Sequence, residues 1–296
     1  ALVEPVLSLR EVHVLTRSSF MALMCAAIVA TAMPAAAPAA EMIGNCELSG
    51  AKGSHAVANP LKPGQVTVAV SLPAPIWWNG DTPESIKDGM EYCMAAEMAW
   101  RAGYDKLEVV NVGWDPLVTG QTKDFDFALS EISITDERKK VVDFSVPYFS
   151  SDIGLLVKAG TELDESSIKD KTVGVQQATT GAAFAMDTLK LTKVQVYPDQ
   201  GNMFTALAAG QIDVAMTDTS IVLAEELKSQ GKEQVIAQYK TGETYGALYP
   251  KGSSNNAGWD AVIQSMIDDG TISKLADKYL ASVWGKDPAK VPYFKH

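Results

Sequence analysis

Apolar residues recur along this chain in two alternating rhythms. Short runs at 66–71, 107–112, 125–129, 153–158, 172–176, 194–197, 212–216 and 246–249 are mostly rich in Val, Ile and Leu and lie close to Gly, Asp, Asn or Pro, the mark of strands. Between them, 114–121, 180–190, 202–209, 220–230, 256–268 and 272–282 carry apolar side chains at three- and four-residue spacing and predict amphipathic helices. A longer helix is expected over 83–102, with Asp81 and Glu84 spaced as a capping pair, Pro83 in the first turn and Gly103 as terminator. Its inward stripe is Ile86, Met90, Cys93, Met94 and Met98. Such alternation predicts βαβ units, with parallel sheets covered by helices on both faces and a ligand crevice at the carboxyl ends of the strands.

The first forty residues keep neither rhythm. Arg10 and Arg17 precede an apolar run from Phe20 to Met33, and small residues fill Pro34 to Ala40, the pattern of a secretory signal peptide over 1–40 cleaved after Ala39 or Ala40. The run is too short for a comfortable membrane span, so a soluble exported protein is expected. Segment 41–61 reads as an extended N-terminal arm. The 25 Lys and Arg against 36 Asp and Glu leave a net charge of −11, which argues against nucleic-acid binding because phosphate contacts need a basic face. Removing 1–40 takes two charges of each sign and Cys25, leaving Cys46 and Cys93. Either these two bridge, as an exported compartment permits, or Cys93 is an ordinary buried helix residue.

The chemistry that is missing narrows the function. Beyond the signal only His55 and His296 remain, one in the arm and one at the last position, which speaks against Ser-His-Asp and Cys-His hydrolysis. There is no Cys/His ligand cluster, no GxGxxG and no GxxxxGK[ST], so no metal and no cofactor are expected. A binding role leads. Three strand ends carry its candidates. Thr135 is a good N-cap for a short helix whose first turn holds Asp136, Glu137 and Arg138. The acids suit the positive helix end and Arg138 does not: either it grips a carboxylate or it folds back onto Glu137. After the strand ending at Gln176, Thr179 or Thr180 begins a helix, either as a plain cap or as an anion-accepting end. Asp218 ends another strand, either capping the next helix or receiving an ammonium. A cation, a hydroxyl with free N–H groups and an anion together complement an amino-acid zwitterion.

These segments resemble the periplasmic solute-binding proteins of polar amino acid ABC transporters, the bacterial extracellular family 3, over about residues 65–285. The resemblance is carried by Trp114-Asp-Pro-Leu, Phe125-Asp-Phe, Ile134-Thr-Asp-Glu-Arg-Lys139, Val142-Asp-Phe-Ser-Val-Pro-Tyr-Phe149, Val173-Gly-Val-Gln, Thr179-Thr-Gly181, Asp213 to Asp218, Tyr245 to Gly252 and Asp269 to Leu275. It implies an α/β type II periplasmic-binding fold, two lobes joined by two hinge strands near 150–154 and 242–246. Lobe 1 would be 62–150 plus 246–296, and lobe 2 would be 154–242. It also implies a monomeric protein that captures an amino acid or derivative between closing lobes, without catalysis, and delivers it to an ABC permease. Position by position, Arg138 matches the carboxylate-binding Arg, Thr180 its hydroxyl partner and Asp218 the amine-binding acid. Ser130 and Ser133 match strand-end ligand contacts, and Trp77 and Trp114 match pocket walls, with Trp78 a neighbour that could equally be core. Two positions depart from the family. Glu131 stands where a small residue is usual, so either it faces the pocket and favours a second cationic or donor group, or it turns to solvent or pairs with a lysine. Ser71 and Ala74 stand where relatives that bind basic amino acids carry an acid and an aromatic. The competing implication is a cyclohexadienyl dehydratase on the same scaffold, with Glu131 as its acid.

Overall fold

The computed structural model describes residues 40–296, so the expected signal peptide lies outside the described residues save Ala40. Two sheets organise the chain. In the first, the fully buried strand Val66–Val70 lies between Leu107–Asn111 and Phe127–Ala128, parallel to both. The order continues through Leu248–Pro250 to Val142–Phe144, and Leu248–Pro250 runs antiparallel to both of its neighbours. The second sheet has six strands in the order Tyr293–Phe294, Glu233–Tyr245, Phe149–Lys158, Val214–Asp218, Val173–Gln176, Val194–Tyr197. Its last three strands are parallel to one another, whereas Phe149–Lys158 is antiparallel to Val214–Asp218 and to Glu233–Tyr245.

The expectation of purely parallel sheets is therefore corrected to mixed ones. The chain leaves the first sheet after Phe144 and returns to it at Leu248, and these opposite crossings pair as two long antiparallel strands. Tyr148 N–H donates to the Tyr245 carbonyl at the crossing, at 2.9 Å. Sequence patterning missed Val142–Phe144, Glu233–Tyr245 and Tyr293–Phe294. The last pairs with Gln238 and Tyr239 in the six-stranded sheet, so the placement of all of 246–296 with the first lobe does not hold for this strand.

The long helix is Met90–Arg101 and does not begin at 83. The Ser85 hydroxyl oxygen accepts from the backbone N–H groups of Asp81 and Thr82, making a local turn that competes with helix. Gly89, at φ +124, then sets the entry, and a Cβ there would lie 2.3 Å from the Trp77 carbonyl oxygen. The arm packs on this helix: Cys46 and Cys93 are bridged, with Cα atoms 5.3 Å apart, and Ser49 and Gly50 donate backbone N–H bonds to Glu97. The predicted helix 180–190 is Thr180–Ala183 followed by a π-helical turn at Phe184–Thr188, and 272–282 divides similarly. No helix among the described residues is long and apolar enough to cross a membrane.

Candidate functional site

The carboxyl ends of strands from both sheets face one small cavity, lined by Trp114, Ser130, Glu131, Ser133, Arg138, Gln176, Thr179, Thr180, Gln200, Thr217, Asp218 and Ile221. Seven of the eight expected ligand contacts meet there. Trp77 is the exception and lines an adjoining cavity.

Arg138 sits on the short helix Asp136–Lys139, whose N-cap Thr135 accepts from the Arg138 N–H at 3.1 Å. Lys140 holds Glu137 instead, at 2.6 Å, leaving the buried Arg138 guanidinium turned inward. It donates from Nη1 to the Ser133 carbonyl at 2.7 Å and from Nη2 to the Ala178 carbonyl at 2.9 Å, and its Cζ stands 5.2 Å from the centre of the Trp114 ring. Among the described residues these are its only side-chain hydrogen bonds, so three of the five N–H donors of a guanidinium remain for a ligand. Burial pulls its pKa down to about 10, and the charges of Asp218 and Glu243 oppose that shift. Arg138 therefore stays cationic at neutral pH.

Asp218 closes the strand Val214–Asp218 and occupies the N-cap position of the helix Thr219–Lys228, yet its side chain makes no cap bond. Its Oδ2 instead accepts from the Tyr245 hydroxyl at 2.5 Å. Burial, then the charge of Glu243, raises its pKa to about 8, against the pull of Tyr245 and Arg138. An arriving ammonium would supply the counter-charge that this carboxyl group lacks. Thr179 is the N-cap of Thr180–Ala183, accepting from Ala182 N–H at 3.1 Å, so the capping role falls to Thr179 while Thr180 lines the cavity. Ser130 Oγ accepts from Ser71 N–H at 3.1 Å, and Ser133 Oγ donates to Glu243 at 2.6 Å. Trp77 packs edge-on against Phe149 and Tyr245, while Trp78 is core and donates to Glu91 at 2.8 Å.

Glu131 does not turn to solvent. It is 4% exposed, lines the cavity, and its Oε1 has no hydrogen-bond partner. Its backbone sits at φ +48, a left-handed conformation that a non-glycine residue adopts at a cost. Burial, reinforced by the neighbouring charges of Glu91 and Asp218, raises its pKa well above the carboxylate range.

Sequence reasoning missed Gln176, Gln200 and Glu91. Gln176 Oε1 is buried without a partner on the cavity wall, at the strand end that Thr179 and Thr180 follow. Glu91 accepts from Tyr148 Oη, from Glu131 N–H at 2.9 Å and from Trp78 Nε1. Burial lifts its pKa to about 7. The available signal was its spacing from Met94 and Met98, three and seven residues on, which puts an acid on the apolar face. Among the described residues no group of three or more His, Cys, Asp or Glu could hold a metal ion.

Comparison with known proteins agrees with this architecture. The L-cystine-binding protein TcyJ of Escherichia coli is 28% identical over 200 residues, 66% of this chain and 74% of that protein. The lysine/arginine/ornithine-binding periplasmic protein of the same organism is 29% identical over 231 residues, 71% of this chain and 88% of its own. Among solved structures, the arginine-, lysine-, histidine-binding protein ArtJ of Geobacillus stearothermophilus superposes with a TM-score of 0.65 at 32% identity, covering 76% of this chain and 96% of that one. An ancestral arginine-binding protein bound to arginine gives 0.66 at 27% identity, covering 73% and 98%. The fold is the type II periplasmic-binding fold, two α/β lobes joined by two hinge strands. Residues 66–282 match the bacterial extracellular solute-binding proteins, family 3, and the chain belongs to that family.

Proposed function

We propose that this protein captures an L-amino acid, or a close derivative, between its two lobes in the periplasm and hands it to the permease of an ABC transporter. One observation carries the reading: Arg138, with three N–H donors to spare, and Asp218, with no cap to make, line one buried cavity. The ligand carboxylate pairs with Arg138 and the Thr180 hydroxyl, and its ammonium with Asp218. Arg138 comes from an element of the first sheet's lobe and Asp218 from the second sheet, so a zwitterion that touches both favours the closed over the open arrangement. The exported protein acts as a monomer and performs no chemistry on its cargo.

Calorimetry with the common L-amino acids tests this. At least one should bind, and Arg138→Ala should weaken it by about 2–5 kcal/mol, because the carboxylate would then be buried beside unpartnered groups. Unchanged affinity in that variant would reject the assignment. The buried acid Glu131 favours one other reading, a dehydratase acting on cyclohexadienyl acids, and a solved neighbour is described as an amino-acid-binding precursor of that enzyme. Such substrates do not all carry an amine and would leave Asp218 without purpose. Prephenate or arogenate incubated with the protein should yield no aromatic product.

A further inference from the structure

Beside the Arg138 cavity lies a second, lined on its apolar side by Pro73, Ala74, Pro75, Trp77 and Phe204. The two cavities share Glu131, Gln200 and Ile221 as lining, so Glu131 stands where one gives way to the other. The charged groups around that junction are unbalanced. Glu131, Glu91 and Asp218 are all buried, and among the described residues the buried cation on these walls is Arg138, whose charge acts on Asp218. Lys228, at the rim of the second cavity, is held by Glu225 at 3.1 Å.

The local backbone argues that this imbalance is built in. A glycine at φ +48 would cost nothing, yet the chain places a glutamate there and pins its N–H to Glu91 at 2.9 Å. The Glu131 carboxyl lies against that of Glu91, and Oε1 finds no donor among the described residues. A buried carboxyl without a donor is a cost to the empty protein that a ligand can remove.

We propose that Glu131 selects the ligand's side chain: its carboxylate receives a second cationic group, so the cargo is an L-amino acid with an extra ammonium or guanidinium, its stem lying against Ala74, Trp77 and Phe204. This rests on the amino-acid reading of the Arg138 cavity. Glu91 positions the Glu131 backbone and does not touch the ligand. In the empty protein the Glu131 carboxyl holds a proton, kept there by burial and by the charges of Glu91 and Asp218, and its other titratable surroundings are Tyr148 and, on the walls of the two cavities, Arg138, Glu225 and Lys228. The arriving cation displaces that proton to solvent.

The test compares L-arginine with L-citrulline, its uncharged near-isostere, and L-lysine with L-glutamine, by calorimetry on the exported protein at pH 7. The better cation should bind at least tenfold more tightly than its neutral counterpart, and Glu131→Gln should remove most of that preference while leaving the neutral ligand within about threefold. Repeating the wild-type titrations in two buffers of different ionisation enthalpy should show more protons released by the cationic member of the pair, a readout that needs no variant. Equal affinity for cationic and neutral ligands, an unchanged ratio in Glu131→Gln, or equal proton release would each overturn the role of Glu131 while amino-acid binding survived. Failure of every amino acid to bind would reject the underlying reading instead.

Discussion

The helix Met90–Arg101 buries two glutamates, and their surroundings differ. Glu97 accepts from Arg101 Nε at 2.7 Å, from Gly50 N–H at 2.7 Å and from Ser49 through N–H and hydroxyl. Arg101 is further held by Ser265, Thr271 and Asp269. One turn and a half earlier, Glu91 has donors of its own but lies against Glu131, which has none at Oε1. The first cluster carries its own cation and ties the arm, this helix and the helices beyond it into one body. The second lacks a cation and opens onto a cavity. A buried charge that is matched inside the protein builds structure, whereas one left unmatched marks where a ligand supplies the rest.

The difference can be broken from either side. The largest effect should come from Arg101→Ala, which leaves Glu97 buried and uncompensated: urea unfolding should show a loss of about 3–5 kcal/mol, with ligand affinity of the folded protein unchanged. If that variant lost affinity and kept stability, the division into structural and ligand-facing clusters would be wrong.

The pH dependence of the empty protein should come next. Glu131, Glu91 (raised to about 7) and Asp218 (raised to about 8) hold protons in the folded state that an unfolded chain releases near pH 4. Between those values the unfolded state binds fewer protons, so stability is greatest at the acid end and falls as pH rises from about 4 to 8. Thermal melts across that window should show the fall, Glu131→Gln should flatten it, and saturating ligand should flatten it further.

The smallest effect sharpens the comparison most. Glu131→Gly relieves the left-handed backbone and removes the buried carboxyl, so stability should rise by about 1 kcal/mol while any preference for a cationic ligand disappears. A destabilised Glu131→Gly would mean that the glutamate serves the fold.

Much of this arrangement is legible along the chain, because its signals are local. Thr135 capping the helix of Arg138 depends on four neighbouring residues, and Asp218 at a strand end depends on the switch from one hydrophobic period to the next. The long crossing strand Glu233–Tyr245 was not legible. It mixes buried and half-exposed positions with a bulge near Gly242, so neither period persists. The helix start at Met90 was hidden too, because the close approach of Gly89 to Trp77 involves residues twelve apart.

By itself the sequence determined an acidic α/β chain with the residue types an amino-acid zwitterion requires, since periodicity, caps and the scarcity of histidine are properties of neighbouring residues and of composition. Only the tertiary structure decided which acids are buried near one another. Glu91, Glu131 and Asp218 lie far apart in the chain, and what shifts their protons is burial and mutual proximity, which no linear spacing encodes.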